Sequence, residues 1–102
     1  MRLERIPWSE RDAPTAETLR DRLAADGFDA FEWTDAPGAD YAPHAHDHDE
    51  SLWVIDGEIV FGADGRTFRL GPGDRLMLPK GTVHTARAGS AGARYFIGER
   101  RD

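Results

Sequence analysis

The sequence predicts an all-β domain, a sandwich or barrel of about eight short strands with one short helix before it. Two observations carry this. From Phe28 onward, short alternating runs are cut at close intervals by Gly, Pro and Asp, the texture of strands and turns. Ahead of them, Ala16–Ala25 strings together good helix formers. With 102 residues and no linker, repeat or low-complexity segment, one compact domain is expected. Residues 1–27 would form an arm and short helix packed on a barrel of residues 28–102.

Residues 1–14 read as polar and irregular, with Ile6, Pro7 and Trp8 the one sizeable apolar group and Trp8 docked on the body. Thr15 is the expected N-cap of the helix and Gly27 its C′ residue, with Leu19 and Leu23 on the buried stripe beside Ala16. So short a helix is marginal alone and draws its stability from docking. Phe28–Trp33 reads as the first strand and Asp35–Gly38 as a turn. Tyr41–His46 follows as a strand, Asp47-His48-Asp49 as the reversal, and Glu50–Ile55 as the strand after it. Asp56-Gly57 carries a tight-turn signature leading into Glu58–Phe61. Ala63-Asp64-Gly65 and Gly71-Pro72-Gly73 bracket Thr67–Leu70, and Arg75–Leu78, Val83–Ala88 and Arg94–Ile97 complete the set.

Composition bounds the chemistry. There is no cysteine, which removes disulfides and thiolate metal sites and leaves the cytoplasm as the default compartment. Nineteen acids against 13 bases give a net charge of −6, a surface that repels phosphate backbones and makes nucleic acid an unexpected partner. The first residues lack an apolar leader and no run of 18 apolar residues exists, so no membrane association is expected. Hydrophobic residues at 39% are lean for a barrel, and a homodimer is expected to cover its apolar strand faces.

One stretch concentrates chemistry. Between Gly38 and Gly57 stand His44, His46, His48 and Glu50. In an extended strand His44 and His46 share a face, about 7 Å apart, so two imidazoles and a nearby carboxylate can converge on one metal ion. The only histidine outside this stretch is His84, in the punctuated block Gly73–His84. His48 has the parity of a fifth or alternative ligand if the strand runs on. The favoured reading makes it a solvated turn residue between Asp47 and Asp49.

These two blocks resemble the motifs of the cupins. The first motif asks for Gly, five residues, His, one, His, three or four, Glu, six, Gly, and Gly38, His44, His46, Glu50 and Gly57 fill it. The second asks for Gly, five, Pro, one, Gly, two, His, three, Asn; Gly73, Pro79, Gly81 and His84 fill it, and Ala88 replaces the Asn. Nine of ten fixed positions agree, and the stretch between the motifs, Glu58–Pro72, is as short as in the smallest cupins.

The resemblance implies a cupin double-stranded β-helix (a jelly-roll-like barrel) and a metal held by His44, His46, Glu50 and His84. Such a donor set suits one divalent transition ion among Fe, Mn, Ni, Co, Cu and Zn. Two positions would stay open on an octahedral ion, for water, a small-molecule substrate or dioxygen. Asp74, Arg75 or backbone carbonyls are the candidates to hold the second ring nitrogens, and Glu50 could also act as a base. Trp33, Trp53, Tyr95 and Phe96 are expected as core or dimer contacts rather than substrate platforms. The expected activity is that of a dioxygenase-like oxidoreductase on a small organic molecule. The alternatives are a non-catalytic ligand or sugar sensor and a redox-neutral isomerase or epimerase, for which no base stands out in the sequence.

Overall fold

The protein, described here by a computed structural model over residues 1–100, is built on two long bent strands. In chain order the elements are β1 (Glu4–Ile6), α1 (Ala16–Ala25), β2 (Asp29–Asp35), β3 (Asp40–His44), β4 (Asp49–Ala63), β5 (Arg66–Leu70), β6 (Arg75–Leu78) and β7 (His84–Arg100). All pairings are antiparallel. The order β1-β6-β4-β7-β2 forms the main path, with β3 added to β7 and β5 to β4.

β4 and β7 run side by side along their whole length, and each serves both ends of the barrel. Residues 50–53 of β4 pair with β6, and 59–63 pair with β5. The far end of β7 pairs with β2, and its near end, from His84, pairs with β3. The bend in β4 lies where its register to β7 shifts, between Val54 and Asp56 and again between Gly57 and Ile59. Asp56-Gly57 is therefore a paired step between two register shifts in one continuous strand, not the tight turn expected between two. Gly57 does adopt the positive φ (+79°) that the dipeptide signals, but the ladder continues through it, Asp56 opposite Arg94 and Gly57 opposite Ala93. A Cβ on Gly57 would come within 2.3 Å of the Gly92 carbonyl oxygen, so the two strands touch backbone to backbone at this crossing. The segments 83–88 and 94–97 are likewise halves of β7. Seven strands, not about eight, result among the described residues.

Alternation along the long strands sorts side chains into two layers. Leu52 and Val54 of β4 and Tyr95 of β7 point into the barrel with Ile59, Leu70 and Leu76. Their neighbours Trp53, Ile55 and Phe96 point outward and are covered by α1 through Leu19 and Leu23, both fully buried. The helix is bounded as its sequence predicts: Thr15 caps it, its Oγ1 accepting the Thr18 N–H at 3.2 Å, and Gly27 follows it at φ +89°. Each buried leucine contributes about 1.5–3 kcal/mol, which is what holds so short a helix.

The N-terminal arm departs from the irregular reading. Glu4–Ile6 pairs with β6, and the Trp8 N–H donates to Asp74 Oδ1 at 2.9 Å. Trp8 docks as expected, against Gly73, where a Cβ would lie 2.3 Å from the indole. Glu4-Arg5-Ile6, two charges and one apolar residue, is too short to give a strand signal; the free edge of β6 supplies the partner. Neither Asp74 nor Arg75 reaches a histidine. Asp74 accepts the Trp8 and Gly71 N–H groups and pairs with Arg5, clamping the arm to the β5–β6 turn. Arg75 lies in the outer layer, donating to Ser51 and Asp26 with its guanidinium 4.4 Å above the Trp53 ring.

Candidate metal centre

The two histidine-bearing segments meet because β3 and the start of β7 are neighbours. His44 and His84 are directly opposed in that ladder, and their ring centroids are 4.3 Å apart. β3 ends at His44, two residues short of the expected strand, so His46 reaches the site from the connection that follows. Its ring still lies 5.0 Å from that of His44 and 5.3 Å from that of His84. The loop of the second sequence block secures this geometry: the Gly81 N–H donates to the His46 carbonyl at 2.8 Å, and the Lys80 N–H to Asp49 at 2.9 Å.

The tautomers of two rings follow from their partners. His44 Nδ1 lies 2.7 Å from the Ala42 carbonyl oxygen and His84 Nδ1 lies 2.9 Å from that of Thr82. A carbonyl only accepts, so both Nδ1 atoms carry the proton and both Nε2 atoms present a lone pair. Backbone carbonyls, among the expected candidates, thus fill the orienting role. Burial holds the His84 imidazole below its ordinary titration range; its Thr82 hydrogen bond opposes this, and neighbouring His44 and His46 reinforce it. His84 therefore stays neutral to lower pH than an ordinary imidazole.

One ligand atom from each of His44, His46 and His84 lies within 4.8 Å of the others. Nitrogens bound to one ion at about 2.0–2.1 Å stand roughly 3–3.5 Å apart in tetrahedral or cis-octahedral arrangements, so small side-chain rotations from this spacing would bring the three onto a divalent cation. Three imidazoles, two of them with lone pairs fixed by backbone carbonyls, fit a borderline transition ion.

Glu50, expected as the fourth ligand, groups differently. At the start of β4 and almost fully buried, it belongs to a second set with His46 and His48. Its Oε1 is 3.6 Å from His46 Nε2, while its Oε2 is 3.1 Å from His48 Nε2. His48 is not the solvated turn residue expected. Its backbone lies in the bend between β3 and β4, but the ring is only 8% exposed. Its Nδ1 is 3.0 Å from Asp47 Oδ1 and its Nε2 is 3.3 Å from Glu99 Oε2. Burial works against a charge on this ring, but the hydrogen bonds to Asp47 and Glu50 and the charges of Glu99 and Glu50 prevail, and its pKa is raised. Flanking acids made the segment read as a solvated loop; the opposed carboxylates inside the barrel draw the imidazole in.

Above the histidines opens a cavity of about 300 Å³. Its wall is largely aromatic: Phe31 and Trp33 of β2, Tyr41 of β3, Phe61 of β4 and Tyr95 of β7. Trp53, Tyr95 and Phe96 are buried as core contacts, but Trp33 is 46% exposed at the cavity mouth, so of the two expected roles, core or dimer contact, the core role does not hold for it. The buried carboxylate of Asp35 fixes three of these rings from behind. Its Oδ1 accepts the Tyr41 hydroxyl at 2.5 Å and the Trp33 indole N–H at 3.0 Å, and its Oδ2 accepts the Tyr95 hydroxyl at 2.7 Å. Burial and then donation to Asp35 raise the Tyr95 pKa; donation to Asp35 and then burial raise that of Tyr41. Both remain hydroxyl donors at neutral pH. Asp35, Glu99 and Phe31 were not singled out from the sequence. Carrying the alternation of Tyr95 and Ile97 two residues further would have pointed Glu99 inward.

The Cupin domain family model matches residues 31–97, well over half of the chain. The protein belongs to the cupin family. Among curated cupin relatives, quercetin 2,3-dioxygenase of Bacillus subtilis (strain 168) is 38% identical over 48 residues, 46% of this chain and 14% of that enzyme. L-ectoine synthase of Bordetella parapertussis is 40% identical over 60 residues, 57% of this chain and 46% of the synthase. This chain thus spans less than half the length of either relative. Among solved structures, KdgF from Halomonas sp. superposes with a TM-score of 0.62 at 30% identity, covering 74% of this chain and 72% of that one. The polyketide cyclase RemF from Streptomyces resistomycificus superposes with a TM-score of 0.63 at 26% identity, covering 74% and 58%. The all-β cupin barrel with a short helix, expected from the two motifs, is therefore the fold.

Proposed function

We propose that this cupin binds one divalent transition metal ion through His44, His46 and His84, with Glu50 as fourth ligand, and transforms a small organic molecule in a dioxygenase-like oxidation. The observation that carries it is the convergence of three imidazoles, two with their lone pairs fixed by backbone carbonyls, on the floor of an aromatic-walled cavity. When bound, the metal supplies a Lewis-acidic, redox-capable centre with open positions. The chain's own residues do the rest. Phe31 and Trp33, on one face of β2, offer flat surfaces to a planar substrate at the mouth. Leu52, Phe61 and Ile97 keep water from the floor. Glu50 and Glu99, joined through His48, can accept and return a proton there.

That acid–base cluster also favours a second reading, a redox-neutral synthase, cyclase or isomerase, for which the sequence alone offered no base. Oxygen consumption separates the two. Metal-free protein loaded anaerobically with Fe(II) and given enolic and phenolic substrates is expected to consume dioxygen, and His84→Ala to abolish uptake. Product formed without uptake supports the redox-neutral reading. Ligand-induced thermal stabilisation with no product under any metal supports a binding module instead. The open edge of strand β2 also favours pairing into a homodimer; sedimentation at the mass of one chain would refute that.

A further inference from the structure

Glu50 and Glu99 are directly opposed residues of β4 and β7. Like charges in that relation are unfavourable, and here both face the same cavity. The ring placed between them is that of His48. Its Nε2 lies 3.1 Å from one oxygen of Glu50 and 3.3 Å from Glu99, and its Nδ1 lies 3.0 Å from Asp47. The other oxygen of Glu50 is left facing His46, at 3.6 Å. Taking Glu50 as a cation ligand, as proposed above, we infer that His48 is its positioning residue: it grips one carboxylate oxygen and presents the other to the cation held by the three histidines.

One feature argues against His48 being a ligand itself. Both of its nitrogens face carboxylate oxygens, so its ring is engaged by Asp47, Glu50 and Glu99 rather than directed at the three-histidine cluster. It stands with His46 and Glu50 in the second set, its ring beside that of His46 with centroids 5.4 Å apart, where it can act on Glu50. Without the His48 ring, Glu50 would face Glu99 with nothing between, and the two carboxylates would turn apart. Partners that orient a ligating carboxylate typically govern 10- to 100-fold in metal affinity.

The test uses the full chain, freed of metal and of any chelating tag, and titrates Co(II) by calorimetry and by its visible d–d bands, which report ligand number. His48→Ala is expected to weaken Co(II) binding about 10- to 100-fold and Glu50→Ala at least as much, with the d–d bands of His48→Ala moving toward those of Glu50→Ala. The double variant should bind no more weakly than Glu50→Ala, because His48 acts only through Glu50. His48→Gln, whose amide can still donate to Glu50, should recover most of the affinity. Circular dichroism of the metal-free variants checks folding, and His48→Asn, too short to reach Glu50, replaces His48→Ala if the latter does not fold. Unchanged affinity and bands in His48→Ala, with Glu50→Ala weakened, would overturn the positioning role alone. Losses that multiply in the double variant would also overturn it, by making His48 an independent ligand. Unchanged binding in Glu50→Ala would overturn the assignment of Glu50 and the role of His48 together, leaving the three-histidine site standing.

Discussion

Replacing Asp35 by alanine removes the one acceptor that fixes three rings of the cavity wall. Asp35 is 5% exposed and Tyr95 is 4% exposed, so the Tyr95 hydroxyl loses its 2.7 Å partner in a largely buried setting. A buried hydroxyl left unsatisfied costs about 1–3 kcal/mol, and a hydrogen bond to a charged group is worth about 1.5–3 kcal/mol. Tyr41 and Trp33 reach solvent, so water replaces most of what they lose. Removing a buried charge returns part of the cost. The net loss should be about 2–3 kcal/mol, which in a domain near this size lowers the melting temperature by roughly 10–20 °C. Asp35→Asn keeps one carbonyl acceptor, and a tyrosine hydroxyl can turn to accept from its amide, so it should lose about 1 kcal/mol or less. Urea unfolding followed by far-UV circular dichroism measures both variants. A loss below about 1 kcal/mol in Asp35→Ala, or equal losses in the two, would refute the claim that this carboxylate organises the wall.

Other perturbations probe the frame around the site. Gly57→Ala would set a Cβ 2.3 Å from the Gly92 carbonyl oxygen at a φ of +79°, so at the crossing of β4 and β7 it should cost about 2–4 kcal/mol in denaturant unfolding. Gly81→Ala, also at φ +79° but with open space around it, should cost less. The Asp74 carboxyl is partly buried, which alone would raise its pKa, but the Gly71 and Trp8 N–H groups and Arg5 outweigh this and lower it from its ordinary 3.8. Its ionised form therefore stabilises the fold above that ordinary value, and the contribution is lost as pH falls through the lower folded value. The stability gap between wild type and Asp74→Asn should accordingly be full at pH 6 and shrink below about pH 4, read from urea midpoints; a gap independent of pH would contradict the clamp.

How much of this was legible in the sequence varied with the length scale of the cause. The helix was readable because its determinants are local: Thr15 as cap, Leu19 and Leu23 one turn apart, Gly27 at the end. The three-histidine cluster was legible through the resemblance: His44, His46 and His84 stand at the histidine positions of the two cupin motifs, among Gly38, Gly57, Gly73, Pro79 and Gly81. What escaped depends on pairing across the sheet. Asp56-Gly57 stayed within a continuous strand because β7 runs past it with Gly92 at the contact. Glu4–Ile6 became a strand only because β6 had an edge to fill. His48 and Asp35 look like turn residues among acids; each is drawn inward by partners from distant strands, Glu99 for one and Tyr95 for the other. No single-sequence period encodes those encounters.

The central claim, that His44, His46 and His84 together hold one divalent ion, is tested most directly by elemental analysis of protein purified without a chelating tag. After loading and exhaustive dialysis, wild type should retain one equivalent of transition metal per chain and His84→Ala much less, although residue 84 is far in sequence from the other two. Equal metal content in the two proteins, or none in wild type with any of the six ions tried, would contradict it.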